Sequence, residues 1–360
     1  MHAISLRKMH LSTIPTEQDM PLLTRRGLNL GLLTSSVLGM RPVQAESIAA
    51  RAGIIPVLGA SPVYVAEKEG WFNEGGLKVN LLKFESGPDV MQAAASGTID
   101  VHVAGIAPVA VGRAHGIDLR VVAATAIAEN VLVAGSKFAA GLPQNVPPAE
   151  MFKQYRQKTG QPVRIATQPA GSVPSTNLNY WLSEVAHVDP ADVRIVSIGI
   201  DGATQALLSN SVEASTIREP ILTVAKQRDP GIKILALGDD LLPGQPGTVV
   251  AVSAAFAQKN PEAVRTLVKG VIRGVELLQK EPDRAAADIQ TSLGKGMLDI
   301  ALIRQALVSP ATHFVADPHV ILKATQVMLA FQKKIGTLDE VPELTSLFDT
   351  SFYDAVIAGK

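Results

Sequence analysis

Two segments of the chain match each other at an offset of 113 residues, and this repeat constrains the fold more than any other feature. Residues 92–101 read QAAASGTIDV and residues 205–214 read QALLSNSVEA. Each begins as a helix of small and apolar residues. Each helix stops at a serine followed by a residue that tolerates positive φ, Gly97 in one copy and Asn210 in the other. A short strand is expected next, with a β-branched second position (Ile99 or Val212) and then a carboxylate (Asp100 or Glu213). A glycine-containing loop precedes each copy, Ser86-Gly87-Pro88 and Asp201-Gly202. A proline-containing loop follows each, Ile106-Ala107-Pro108 and Glu219-Pro220. One helix–strand unit used twice calls for two similar α/β lobes.

The remaining pattern alternates in the same way. Strands are expected at residues 52–57, 77–84, 119–124, 131–134, 163–167, 195–198, 232–235 and 248–252, with helices between them. Ser61 is expected to cap a helix with Pro62 at its first position and Gly70 at its end. A helix of the second half is placed at about residues 175–185. From Pro261 onward the pattern is helical and amphipathic, with Val264, Leu267, Val268, Val271 and Val275 on one face. The architecture expected is two sheets of parallel strands joined by two crossing strands. One lobe takes residues 46–130 and 249–360, and the other takes residues 131–248. Hinge bending is expected near Glu129-Asn130 and Val249-Val250.

Composition removes several function classes. Lys plus Arg and Asp plus Glu number 33 each, so the chain lacks the basic surplus of nucleic-acid binders. Aromatics at 4% argue against base-stacking platforms. The absence of cysteine removes thiolate nucleophiles, iron–sulfur clusters, cysteine zinc sites and a lipoprotein anchor together. There is no H-E-x-x-H, P-loop, G-x-S-x-G or G-x-G-x-x-G motif. Glu184 and His187 have the spacing of half a di-metal site, but a second copy is missing, so the histidine is read as structural. No catalytic residue, no metal ligand and no cofactor are expected.

The first 45 residues read as an export address. Thr24-Arg25-Arg26-Gly27-Leu28-Asn29-Leu30 has the form of a twin-arginine signal. A weakly apolar stretch runs from Leu28 to Met40. Arg41-Pro42 and the small-x-small site Val43-Gln44-Ala45 follow. The stretch is too short to span a bilayer. Cleavage is expected after Ala45, with Met20 an alternative start to Met1.

The run from Ala60 to Gly105, ASPVYVAEKEGWFNEGGLKVNLLKFESGPDVMQAAASGTIDVHVAG, resembles the periplasmic solute-binding proteins of sulfonate, nitrate and taurine ABC importers. These belong to the superfamily that also holds the thiamine-pyrimidine-synthase-like proteins. Pro169-Ala170-Gly171-Ser172 and Lys259-Asn260-Pro261-Glu262-Ala263-Val264 extend the resemblance over residues 54–335. It implies a type II periplasmic binding protein, two Rossmann-like lobes with a ligand cleft and two hinge-crossing strands. It further implies a monomer in the periplasm that passes a small solute to an inner-membrane ABC permease. A sensor subunit for a membrane kinase and an enzyme on the same fold are the alternatives. At Ile217-Arg218-Glu219-Pro220 an arginine stands where the family often has an aromatic residue.

Open α/β sheets bind ligands at the carboxyl ends of their strands, where helix N-termini offer unpaired N–H groups and partial positive charge. Four loops are expected to open helices into the cleft: Ala60-Ser61 with Tyr64 behind it, Ser86-Gly87, Ile106-Ala107 and Gly171-Ser172-Val173. Gly87 and Gly171 would let a ligand approach the backbone. The serines would add hydroxyls, either to the solute or to their own helices. Arg218, next to Glu219, is expected to clamp a carboxylate, sulfonate or nitrate, or else to pair with Glu219 or Asp201. An anionic solute is therefore expected.

Overall fold

The computed structural model describes residues 47–143, 145–294 and 298–359. The twin-arginine motif and the cleavage site at Ala45 lie outside the described residues. Among the described residues, twelve strands are formed. They are β1 (Ile48–Ile54), β2 (Leu77–Lys83), β3 (Val101–Gly105), β4 (Leu119–Ala124), β5 (Ala126–Ile127) and β6 (Val131–Ala134). Then come β7 (Val163–Thr167), β8 (Val193–Ser197), β9 (Ala214–Ile217), β10 (Lys233–Ala236), β11 (Thr248–Ser253) and β12 (His313–Phe314).

They build two five-stranded sheets, in the orders β2-β1-β3-β11-β4 and β10-β6-β9-β7-β8, with a small ladder of β12 on β5. The strands expected at 119–124, 131–134 and 163–167 have those bounds. The first strand ends earlier than expected, at Ile54, because Pro56 has no N–H to continue the ladder.

Each sheet is mixed: its strands run parallel except the one by which the chain enters the lobe. In the first sheet β11 runs antiparallel to β3 and β4. In the second, β6 runs antiparallel to β9 and β10. The register gives the reason. Thr248, which opens β11, lies opposite Gly105, which closes β3, and Val131, which opens β6, lies opposite Ile217, which closes β9. The chain enters each lobe at the carboxyl edge of its parallel strands, so the entering strand must run the other way.

The repeat forms as a unit. Its helices, Gly87–Ala95 and Ile200–Leu208, are followed by Gly97 at φ 69° and Asn210 at φ 55°. Ile99-Asp100 and Val212-Glu213 stand just before β3 and β9 rather than inside them, and the two carboxylates have the same task. Asp100 accepts from the backbone N–H, Nε and Nη2 of Arg51 at 2.8–3.0 Å. Glu213 accepts the same three bonds from Arg164 at 2.8–2.9 Å. In both copies the fork ties the turn to the neighbouring parallel strand.

The long helix Pro261–Lys280 buries Val264, Leu267, Val268, Val271 and Val275 against the first lobe. It crosses helix Ser61–Lys68 at Gly274, where an added Cβ would stand 2.3 Å from the Pro62 carbonyl oxygen. Close-packed cores resist such overlaps. The second lobe has its own core around Leu132, Phe152, Ile165, Leu178 and Trp181. Among the described residues, no helix is long and apolar enough to cross a membrane.

Candidate functional site

The two crossings between the lobes lie side by side. Ala128 N–H donates to Gln245 O (3.0 Å), and Ile127 bridges to Pro246. Gln245 is fully buried: its Oε1 accepts from Asn130 N–H (2.8 Å) and Nδ2 (3.1 Å), and its Nε2 donates to Gly238 O (3.0 Å). The second crossing is therefore Gln245–Gly247, not Val249-Val250. Those valines are bonded to β3 on one side and β4 on the other and have no freedom to bend.

Arg218 follows β9 and reaches into this joint. Its Nε donates to Asn130 Oδ1 (2.6 Å), and its Nη1 lies 3.4 Å from Glu129 Oε1. Both ends are buried, and loss of water pulls the guanidinium below its ordinary pKa, with Glu129 opposing that shift. Glu129 also accepts from Thr248 Oγ1 at 2.7 Å. It closes on Gly59 so tightly that a Cβ there would stand 2.0 Å from Oε2. Arg218 therefore has protein partners, and they are Glu129 and Asn130, not Glu219 or Asp201.

A narrow cavity of about 20 Å³ lies beside the joint. Pro56 and Val57, after β1, form its first-lobe wall. Gln168 after β7, Thr216 and Arg218 at the end of β9, and Ile200 at a helix start form much of the second-lobe wall. The contributing strands β1, β7 and β9 all present their carboxyl ends. Leu58 N–H donates to Glu219 O across the gap at 3.0 Å. A larger open depression of about 700 Å³ lies around Lys137, Tyr155 and Arg164. It sits where β7 begins, the far end from the crossings, and its Arg164 and Glu213 are already locked in their fork. Of these two, the narrow cavity is the one placed between the lobes.

Of the twelve residues expected at the site, Arg218 and Glu219 line this cavity. The Glu219 carboxylate accepts from Thr223 N–H and Oγ1, both at 3.0 Å, and so caps the helix Ile221–Arg228. Burial raises its pKa. Ser86 and Ser172 spend their hydroxyls as caps, accepting from Asp89 N–H (3.2 Å) and Ser175 N–H (3.3 Å). Ser61 is not a cap. Ala60 takes that position because the 3-10 turn Leu58–Ala60 already starts the coil, and the buried Ser61 Oγ has no partner among the described residues. Tyr64 lies in the first-lobe core, where burial pushes its hydroxyl pKa up. Gly87 makes room for Pro108, whose Cγ would stand 2.7 Å from an added Cβ.

The remaining expected residues meet across the lobe boundary. Gly105, which precedes Ile106-Ala107, would place a Cβ 2.6 Å from Val173 Cγ2. Ile106, Ala107 and Val173 share one apolar cluster. Gly171 has φ 80°, which requires glycine. Gln168, Thr216, Asn130 and Val57 also line the cavity; none carries a chemical signature in the sequence, and the fold draws them from separate segments.

His187 is exposed and bonded through Nδ1 to Ser183 O. Among the described residues no cluster of metal-ligating side chains is formed.

Residues 43–309 match the model of the NMT1-like family. The "Putative aliphatic sulfonates-binding protein" of Bacillus subtilis is 26% identical over 298 residues, covering 81% of this chain and 83% of that protein. The periplasmic nitrate-binding protein NrtA from Synechocystis PCC 6803 superposes with a TM-score of 0.71 at 14% identity, covering 87% of this chain and 89% of that one. The alkanesulfonate-binding protein SsuA from Xanthomonas axonopodis pv. citri, bound to MOPS, gives 0.63 at 19% identity, covering 86% and 98%. The structural likenesses establish the fold of a periplasmic binding protein.

Proposed function

The chain belongs to the NMT1-like family, and from that premise we propose that it is the extracytoplasmic solute receptor of an ABC importer. Residues 46–130 and 249–360 form one lobe and residues 131–248 the other, and a small solute is held between them. The observation that carries this reading is the convergence of the carboxyl ends of β1, β7 and β9, from both lobes, on a narrow gap beside two adjacent crossings, a gap with room for about one water that must widen to admit a solute. A ligand there touches both lobes next to the segments that bend, so binding and closure are one event.

The solute is a small anion or a molecule with an anionic head, as in the sulfonate and nitrate proteins by name. Glu129 balances the charge of Arg218, so Arg218 contributes hydrogen-bond donors more than net charge. The helix N-terminus at Ile200, which lines the cavity, supplies positive potential. The receptor is exported through its N-terminal signal, works with an inner-membrane permease, and does no chemistry on the solute. The absence of cysteine supports the last point, since it removes a thiolate nucleophile.

A thermal-shift panel on residues 46–360 tests this. Methanesulfonate, taurine, nitrate, benzoate and neutral amides are the probes. A solute at a hundred times its Kd adds about 2.7 kcal/mol and raises Tm visibly. A hit among the anions is expected. A hit restricted to neutral compounds contradicts the anionic assignment, and no hit contradicts the receptor assignment.

A further inference from the structure

Helix Val173–Tyr180 and its continuation Trp181–Val185 belong to the second lobe on one face and touch the first lobe on another. Leu178, Trp181 and Leu182 sit in the second-lobe core. Val173, Asn177 and Tyr180 have the i, i+4, i+7 spacing of a separate stripe. Val173 and Tyr180 pack into the first-lobe cluster that holds Ile106, Met328 and Leu329. Beyond them Tyr180 meets Phe331 edge-on, with ring centroids 5.2 Å apart, and Lys334 Nζ donates to Glu184 Oε1 at 2.8 Å. Phe331 and Lys334 lie on the first-lobe helix Leu322–Lys334.

Asn177 lies within this stripe. It is fully buried, and among the described residues neither atom of its amide has a hydrogen-bond partner. On the facing helix the Gln332 amide and the Thr325 hydroxyl are buried and, among the described residues, unpartnered too. Burying such groups without partners opposes the arrangement that buries them. Separation of the lobes returns Asn177 to water, while it breaks the Tyr180–Phe331 and Glu184–Lys334 contacts.

We propose that this face is a latch of two opposed parts that sets solute affinity without touching solute. The ion pair and the aromatic edge favour closure, and Asn177 opposes it. The proposal rests on the receptor reading above for its functional meaning. A face made only of favourable contacts would hold the lobes shut and block entry and release; the buried amide keeps the two states close in free energy. Asn177, Glu184 and Lys334 are positioning residues, acting through the lobe separation.

The separation is measurable without any solute. The chain has no cysteine, so nitroxide labels at Lys158→Cys and Lys269→Cys, both exposed and one on each lobe, report it by pulsed electron resonance. Asn177→Leu, of similar volume and apolar, is expected to raise the closed-to-open ratio by about fivefold or more. Glu184→Gln and Lys334→Met are expected to lower it by about twofold, and the exchange Glu184→Lys with Lys334→Glu to restore it. Salt at 0.5 M lowers the ratio in the parent and not in Lys334→Met. Asn177→Leu with an unchanged or longer distance overturns the proposal. So do ion-pair variants that keep the parent distribution, and these exposed changes fold even where Asn177→Leu does not. A blank solute panel beside shifted distances counts against the receptor reading and leaves the latch standing.

Discussion

Arg218 and Glu129 form an ion pair buried on both sides, Nη1 to Oε1 3.4 Å, where the chain first passes from one lobe to the other. The pair fastens the end of β9 to the crossing segment. Removing one member leaves the other charge buried without its partner, which costs about 3–5 kcal/mol. Arg218→Ala is therefore expected to lower stability by that amount in urea titration, as well as to weaken solute binding. The paired change Arg218→Met with Glu129→Leu is expected to recover much of it. An Arg218→Ala protein as stable as the parent contradicts the pair.

His102 makes stability depend on pH in a window of its own. It is fully buried on β3, and desolvation lowers its pKa to about 4, against a bond to Gly105 O that raises it. The folded pKa lies below the unfolded value of about 6.5. Stability is thus complete above pH 6.5 and falls as pH drops from there toward 4, by about 3 kcal/mol for a shift of this size. His102→Gln is expected to flatten the curve of unfolding free energy between pH 6.5 and 4.5. An equally steep curve in the variant assigns the slope to other groups.

The matched forks act at lower pH. Burial alone would raise the pKa of Asp100 and Glu213, but their bonds to Arg51 and Arg164 outweigh it and leave both lowered. A lowered carboxylate pKa gives stability that is present above the unfolded value and lost as pH falls through the folded one. Asp100→Asn and Glu213→Gln are each expected to cost about 1 kcal/mol at pH 7. The cost should shrink below about pH 4. Similar losses from the two variants are expected, since the geometry is the same; a loss in one copy alone contradicts the equivalence.

Gly105 permits the lobes to meet. Its φ of −61° suits any residue, so alanine strains no backbone, but the new Cβ would stand 2.6 Å from Val173 Cγ2 on the other lobe. Gly105→Ala is expected to weaken solute affinity about tenfold, the effect of roughly 1.4 kcal/mol of overpacking in the closed state. Solute-free Tm should change little. Unaltered affinity in calorimetric titration contradicts a closed state with this contact.

Much of the fold is legible in the sequence because its signals are local. Gly97 and Asn210 both adopt the positive φ their residue types suggest, and the amphipathic face after Pro261 is the buried one. The 113-residue offset also holds for Arg51 and Arg164, so the shared forks were readable once the carboxylates were aligned. The site was less legible because residue type does not give direction. Ser86 and Ser172 open helices as expected, yet their hydroxyl oxygens accept bonds from their own helices. The partner of Arg218 is 89 residues away in the chain, and only the return through Gln245–Gly247 encloses that pair.

Small-angle scattering of residues 46–360, with and without the strongest solute from the panel at saturation, tests whether the two lobes close on solute. A two-lobed receptor that closes on its solute predicts a smaller radius of gyration when solute is bound. Superimposable profiles at a concentration where calorimetry shows full occupancy would contradict it.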